Sequence, residues 1–155
     1  MPTLLRCACL AALTLAVALA GCGGDDVEAS NAYVDAVNTA QNDFARTFDT
    51  LQTQITAQSS AAQDRKTLEQ FGDAIDAVVR DLKAVETPAK VQSLHDQLID
   101  AIAGYGKTIA SARKAFASDD PAEVLAARTQ LSTDVAATSS RINRTIDAIN
   151  RKLRE

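Results

Sequence analysis

From Val34 to Leu153 the apolar side chains return in steps of three and four residues. Val34, Val37, Phe44, Phe48, Leu51 and Ile55 form the first seam, with Gln41 filling its one gap. Leu68, Phe71, Ile75, Val78, Leu82 and Val85 form the second. Val91, Leu94, Leu98, Ile102, Tyr105, Ile109, Ala112 and Phe116 make the third. A fourth, weaker and centred on Ala and Ser, runs through Val124, Ala127, Leu131, Val135, Thr138, Ile142, Ile146, Ile149 and Leu153. Such steps keep apolar groups on one face of an α-helix, whereas a half-buried strand alternates every second residue. With only 6 Gly and 3 Pro in 155 residues, the chain also lacks the turn residues that a β-rich fold consumes. The pattern predicts an all-α protein.

The breaks between seams have chemical reasons. Thr87-Pro88 sets an N-cap hydroxyl before a Pro at the first helical position, where the missing N–H costs nothing. Asp120-Pro121-Ala122-Glu123 repeats that arrangement and approaches a capping box. Between the first two seams there is neither Gly nor Pro. Ile55 and Leu68 are 13 residues apart, however, which at about 100° per residue would put one continuous helix's stripes on nearly opposite faces. A turn around Ser60, with Ser60 and Gln63 as a capping box, resolves the conflict. Helices are therefore expected at about 29–57, 61–86, 88–117 and 121–153, each on the order of 35–50 Å long. Short linkers favour an antiparallel up-down-up-down four-helix bundle with coiled-coil-like packing. A three-helix core with one splayed helix is the alternative.

The first residues have a different character. One base, Arg6, precedes an apolar run from Cys7 to Ala20 broken only by Thr14. This is short for a membrane span but fits the hydrophobic region of a secretory signal peptide. Leu19-Ala20-Gly21-Cys22 then resembles the lipobox of bacterial lipoproteins. That resemblance implies cleavage between Gly21 and Cys22, and attachment of lipid to the Cys22 thiol. It further implies a signal peptide over 1–21, a lipidated Cys22 with a flexible tether to residue 28, and a bundle over 29–155. Localisation would be extracytoplasmic, anchored to the cell membrane or to an outer membrane. Two or more acyl chains suffice for stable anchoring.

Charge narrows the partners. Removing 1–21 takes away Arg6 and no acid, so the net charge moves from −4 to −5. A basic nucleic-acid footprint is absent. All three Cys lie within the first 22 residues, so the helical part has no disulfide, no thiolate metal site and no Cys-x-x-Cys-His for haem.

The remaining candidates are few. His95 is the one imidazole, and Val91, Gln92, Leu98 and Ile99 lie three and four residues away on its helix. No carboxylate accompanies it, and the Glu-x-x-His pattern of di-iron bundles is missing. It reads as a packing residue at the edge of the third seam. No nucleophile elbow occurs, and straight helices build no oxyanion hole from their own backbones. No enzyme activity, cofactor or metal is expected. The acidic pairs Asp73/Asp76, Asp96/Asp100 and Asp119/Asp120 lack the dense ligand run of a calcium loop, and Asp76 is spaced to pair with Arg80. Gly104-Tyr105-Gly106 inside a helix suggests close helix approach or a bend, with Gly72 permitting approach likewise. Alternatively, a small cavity beside Gly104 and Tyr105 could admit an apolar ligand. Arg141, Arg144, Arg151, Lys152 and Arg154 crowd the C-terminal helix. They complement its dipole, or they contact anionic headgroups if the chain end returns to the anchored side.

The expected function is a non-catalytic structural or protein-interaction module, held at the membrane through Cys22 and meeting a protein partner. The alternative is a helical bundle that binds a small apolar ligand or assists a sensor.

Overall fold

The computed structural model describes residues 24–56 and 58–155. Over these the protein is a helical bundle of four helices, with no strand among the described residues. The helices are α1 (Gly24–Gln52), α2 (Ala61–Lys83), α3 (Gln92–Ala115) and α4 (Pro121–Leu153). A single 3-10 turn, Ala89–Val91, precedes α3. Each helix packs on its neighbour in sequence, α1 on α2, α2 on α3 and α3 on α4. The expected signal peptide, with Gly21 and Cys22, lies outside the described residues.

The ends of the helices follow local chemistry. Ser60 caps α2 through a complete capping box: its hydroxyl accepts from the Gln63 N–H at 3.2 Å, and Gln63 Oε1 accepts from the Ser60 N–H at 3.0 Å. The turn between the first two helices is therefore where the phase argument places it. Asp120 caps α4 by accepting from the Ala122 N–H at 2.8 Å, with Pro121 at the first helical position. Glu123 does not complete a capping box there but accepts from the Ser118 hydroxyl at 2.5 Å. Thr87 departs from expectation too. Its hydroxyl donates back to the Val85 carbonyl at 3.1 Å, Pro88 caps the 3-10 turn without a side-chain bond, and α3 starts only at Gln92. α1 begins at Gly24, inside the segment expected as a tether, and ends at Gln52 rather than 57.

The core joins α1 to the last turns of α4. Tyr33, Val34 and Val37 from α1 meet Leu68, Phe71, Ile75, Val78 and Leu82 of α2. Leu98, Ile102, Tyr105 and Ile109 of α3 extend it, and Ile146, Ile149 and Leu153 of α4 close it. The third seam shifts by one residue. His95 is buried, Leu94 is half-buried, and Val91, His95, Leu98, Ile102 and Tyr105 keep the stricter step. In α4, Val124, Ala127, Leu131, Val135 and Ile142 are only half-buried. The side chains of Phe48 and Leu51 lie outside the described residues.

Candidate functional site

Four places bring chemistry together, and the first is a polar clasp at His95. The ring is 2% exposed. Its Nε2 lies 3.0 Å from the Leu82 carbonyl and its Nδ1 lies 3.1 Å from the Tyr33 hydroxyl. A carbonyl can only accept, so Nε2 donates to it; in the neutral imidazole Nδ1 is then the acceptor and Tyr33 the donor. The rings also meet edge to face, with centroids 5.5 Å apart at 69°, a favoured aromatic geometry. One imidazole thus ties α1, α2 and α3 together. Burial pushes the Tyr33 hydroxyl well above its ordinary pKa. With both ring nitrogens occupied by protein groups, His95 has neither a free acceptor nor a carboxylate to orient it for base catalysis.

The second is a buried ion pair. Asp64, in the first turn of α2, is fully buried, and its Oδ2 accepts from Arg128 Nη2 of α4 at 2.5 Å. Arg128 is half-buried, and its guanidinium carbon stands 5.7 Å from the centre of the Phe116 ring, within cation–π range. Asp64 Oδ1 and Arg128 Nε have no hydrogen-bond partner among the described residues. Neither residue stands out in the sequence, although Asp64 continues the second seam one step before Leu68. A dipole-favoured acid in a first helical turn reads as solvated; this one is core.

The third is the glycine pair. A Cβ placed on Gly104 would meet nothing within 4 Å, while one on Gly106 would sit 3.3 Å from Ile75 Cγ2. Close approach therefore belongs to Gly106. Gly72 has the same open surroundings as Gly104 and does not mediate close packing. Tyr105 between them is buried, with its hydroxyl likewise raised in pKa by desolvation.

The fourth is the C-terminal tip. Lys90 Nζ donates to the Leu153 carbonyl at 3.1 Å, adding a base to Arg151, Lys152 and Arg154. Lys152 donates to Glu155 at 2.6 Å. That bond, then its charge, holds the Glu155 carboxyl below its usual value, with Arg151 and Lys90 adding to the effect. Arg141 and Arg144 are not part of the tip. Arg141 lies about 20 Å back along α4, and Arg144 donates to Ser140 at 2.6 Å. The surface acids carry little organised chemistry: Arg80 pairs with Asp81 at 3.6 Å rather than with Asp76. No group of three or more metal-ligating side chains occurs among the described residues, and no described helix is long and apolar enough to cross a membrane.

Compared with known proteins, the chain matches no family model, no curated protein and no solved structure.

Proposed function

We propose that the protein is a bacterial lipoprotein, cleaved before Cys22 and held by lipid at the extracytoplasmic face of a membrane. There its helical part acts as a non-catalytic structural or protein-interaction module. The observation that carries this reading is the Leu19-Ala20-Gly21-Cys22 motif at the end of a 14-residue, almost wholly apolar run from Cys7 to Ala20. The helical part is read as an antiparallel up-down-up-down bundle. Three cross-helix contacts support that arrangement: His95 near the start of α3 with Leu82 at the end of α2, Arg113 late in α3 with Glu69 early in α2, and Lys90 before α3 with Leu153 at the end of α4.

In this arrangement the α4 tip lies on the same side as the start of α1, and hence as the anchor. Lys90, Arg151, Lys152 and Arg154 then face anionic headgroups, each contributing about 1 kcal/mol near the surface. Two measurements test the proposal. Fatty-acid labelling of cells should mark the wild-type chain, whereas Cys22→Ser should lose the label and stay uncleaved; labelling that persists in Cys22→Ser overturns the anchor. In-cell crosslinking should capture a defined protein, and charge reversal on one helix face should release it while the fold persists.

A second reading, an apolar ligand beside Tyr105, is supported by the open space around Gly104. A ligand there should raise the melting temperature by mass action, and Gly104→Leu should abolish that rise.

A further inference from the structure

A groove of about 720 Å³ runs between the start of α2 and the end of α3. Ala62, Ala110 and Ala117 are among its lining residues. Arg65 and Lys66 rise from α2 and Arg113 and Lys114 from α3, with Glu69 the single acid among the lining residues. In a chain of net charge −4, this places four bases against one acid in one concavity. Glu69 lies 3.5 Å from Arg113 and offsets part of its charge.

Helix stability accounts for only half of that charge. Arg113 and Lys114 occupy the last turn of α3, where bases complement the dipole. Arg65 and Lys66 stand in the second turn of α2, where the helix dipole gives a base no such advantage. Asp64, the acid of the first turn, is buried on another side of the helix and committed to Arg128. The repulsion among the groove's bases is relieved by an anion in the groove.

We propose that this groove binds a ligand carrying two or more phosphate groups. Two guanidinium forks and two ammonium groups match phosphate oxygens. Bases on both walls, with room between them, suit more than one anionic group. The lining residues include no aromatic ring for a nucleobase to stack on and no large apolar side chain to receive a protein anchor. The groove is roughly 30 Å along α3 from Lys90, so it is distinct from the basic tip and does not depend on the lipid anchor.

Calorimetric titration of the full chain, in mild detergent, with sodium tripolyphosphate tests this. Saturable binding is expected, weakened at least tenfold in Lys66→Gln/Lys114→Gln and unchanged in Arg151→Gln/Lys152→Gln. Circular dichroism checks the fold, and Arg65→Gln/Arg113→Gln is a second groove variant. Absence of binding overturns the proposal, as does wild-type affinity retained in both groove variants, or sulfate bound as tightly as tripolyphosphate. Tighter binding of a polyglutamate peptide reassigns the groove to an acidic protein segment. Lys66- and Lys114-dependent retention on phosphatidylglycerol vesicles, without heat from tripolyphosphate, reassigns it to the membrane. Either result also overturns the proposal.

Discussion

Tyr33 and His95 lie 62 positions apart and meet through a 3.1 Å hydrogen bond that no solvent reaches. The imidazole can accept that bond only because its other nitrogen is committed to the Leu82 carbonyl. Removing the hydroxyl leaves a buried acceptor unpaired, at a cost of about 1–3 kcal/mol. Tyr33→Phe should therefore lower the unfolding free energy by that amount in a urea titration, although it keeps the ring contact. A variant as stable as wild type would show that the bond contributes nothing.

The Asp64–Arg128 pair should respond asymmetrically. Arg128 is partly exposed, whereas Asp64 is not exposed at all. Arg128→Met strands a buried carboxylate and should cost about 3–5 kcal/mol. Asp64→Asn leaves a guanidinium that can turn toward water and should cost less. Combining Asp64→Leu with Arg128→Met should recover much of the loss, because an apolar pair avoids desolvating two charges. Denaturant midpoints of the four proteins check the order.

Gly104 and Gly106 should part company on substitution by Ala. At Gly104 the added methyl meets open space, so the gain in helix propensity, about 1 kcal/mol, appears as added stability. At Gly106 the methyl meets Ile75 at 3.3 Å, and crowding consumes part or all of the same gain. Thermal unfolding of the two variants should rank Gly104→Ala above Gly106→Ala.

Alkali should unfold the protein through its tyrosines. Burial raises the pKa of both Tyr33 and Tyr105 above the ordinary value, near 10 in water. As pH rises past that value the unfolded chain releases protons that the folded chain retains. The stabilisation is therefore complete below about pH 10 and falls above it, by about 1.4 kcal/mol per pH unit for each tyrosine. Tyrosinate absorbance should appear together with loss of helix rather than before it, and Tyr33→Phe/Tyr105→Phe should flatten the decline.

The four helices were legible because a step of three and four residues has one compact solution, and because Ser60-Gln63 and Asp120-Pro121 carry their own capping chemistry. The polar core was less so. Asp64, Leu68, Phe71 and Ile75 form one unbroken seam, and so do Val91, His95 and Leu98, so position alone marks Asp64 and His95 as inward. Residue type argues the other way, since charged and imidazole side chains leave water only when a partner compensates them. Those partners, Arg128 and Tyr33, lie 64 and 62 residues away, beyond any local pattern. Thr87 illustrates the opposite limit: its spacing suits an N-cap, yet its hydroxyl is satisfied by the Val85 carbonyl behind it. The basic groove was hidden because its bases come from two helices and join only when α2 and α3 pack.

Burial in α4 is confined to Ile146, Ile149 and Leu153, while Val124 through Ile142 stay half-exposed. The helix is continuous in hydrogen bonding but uneven in attachment. Its amide protons should accordingly fall into two exchange classes. Those in the last turns become accessible only when the whole fold opens. Those of the first half exchange through a smaller opening that breaks the Arg128–Asp64 contact and leaves the joined core of α1, α2 and α3 in place. Such an opening should release one half-helix, and its cost is set by the Arg128–Asp64 pair together with the partly buried Val124, Ala127, Leu131, Val135 and Ile142 that pack on the core.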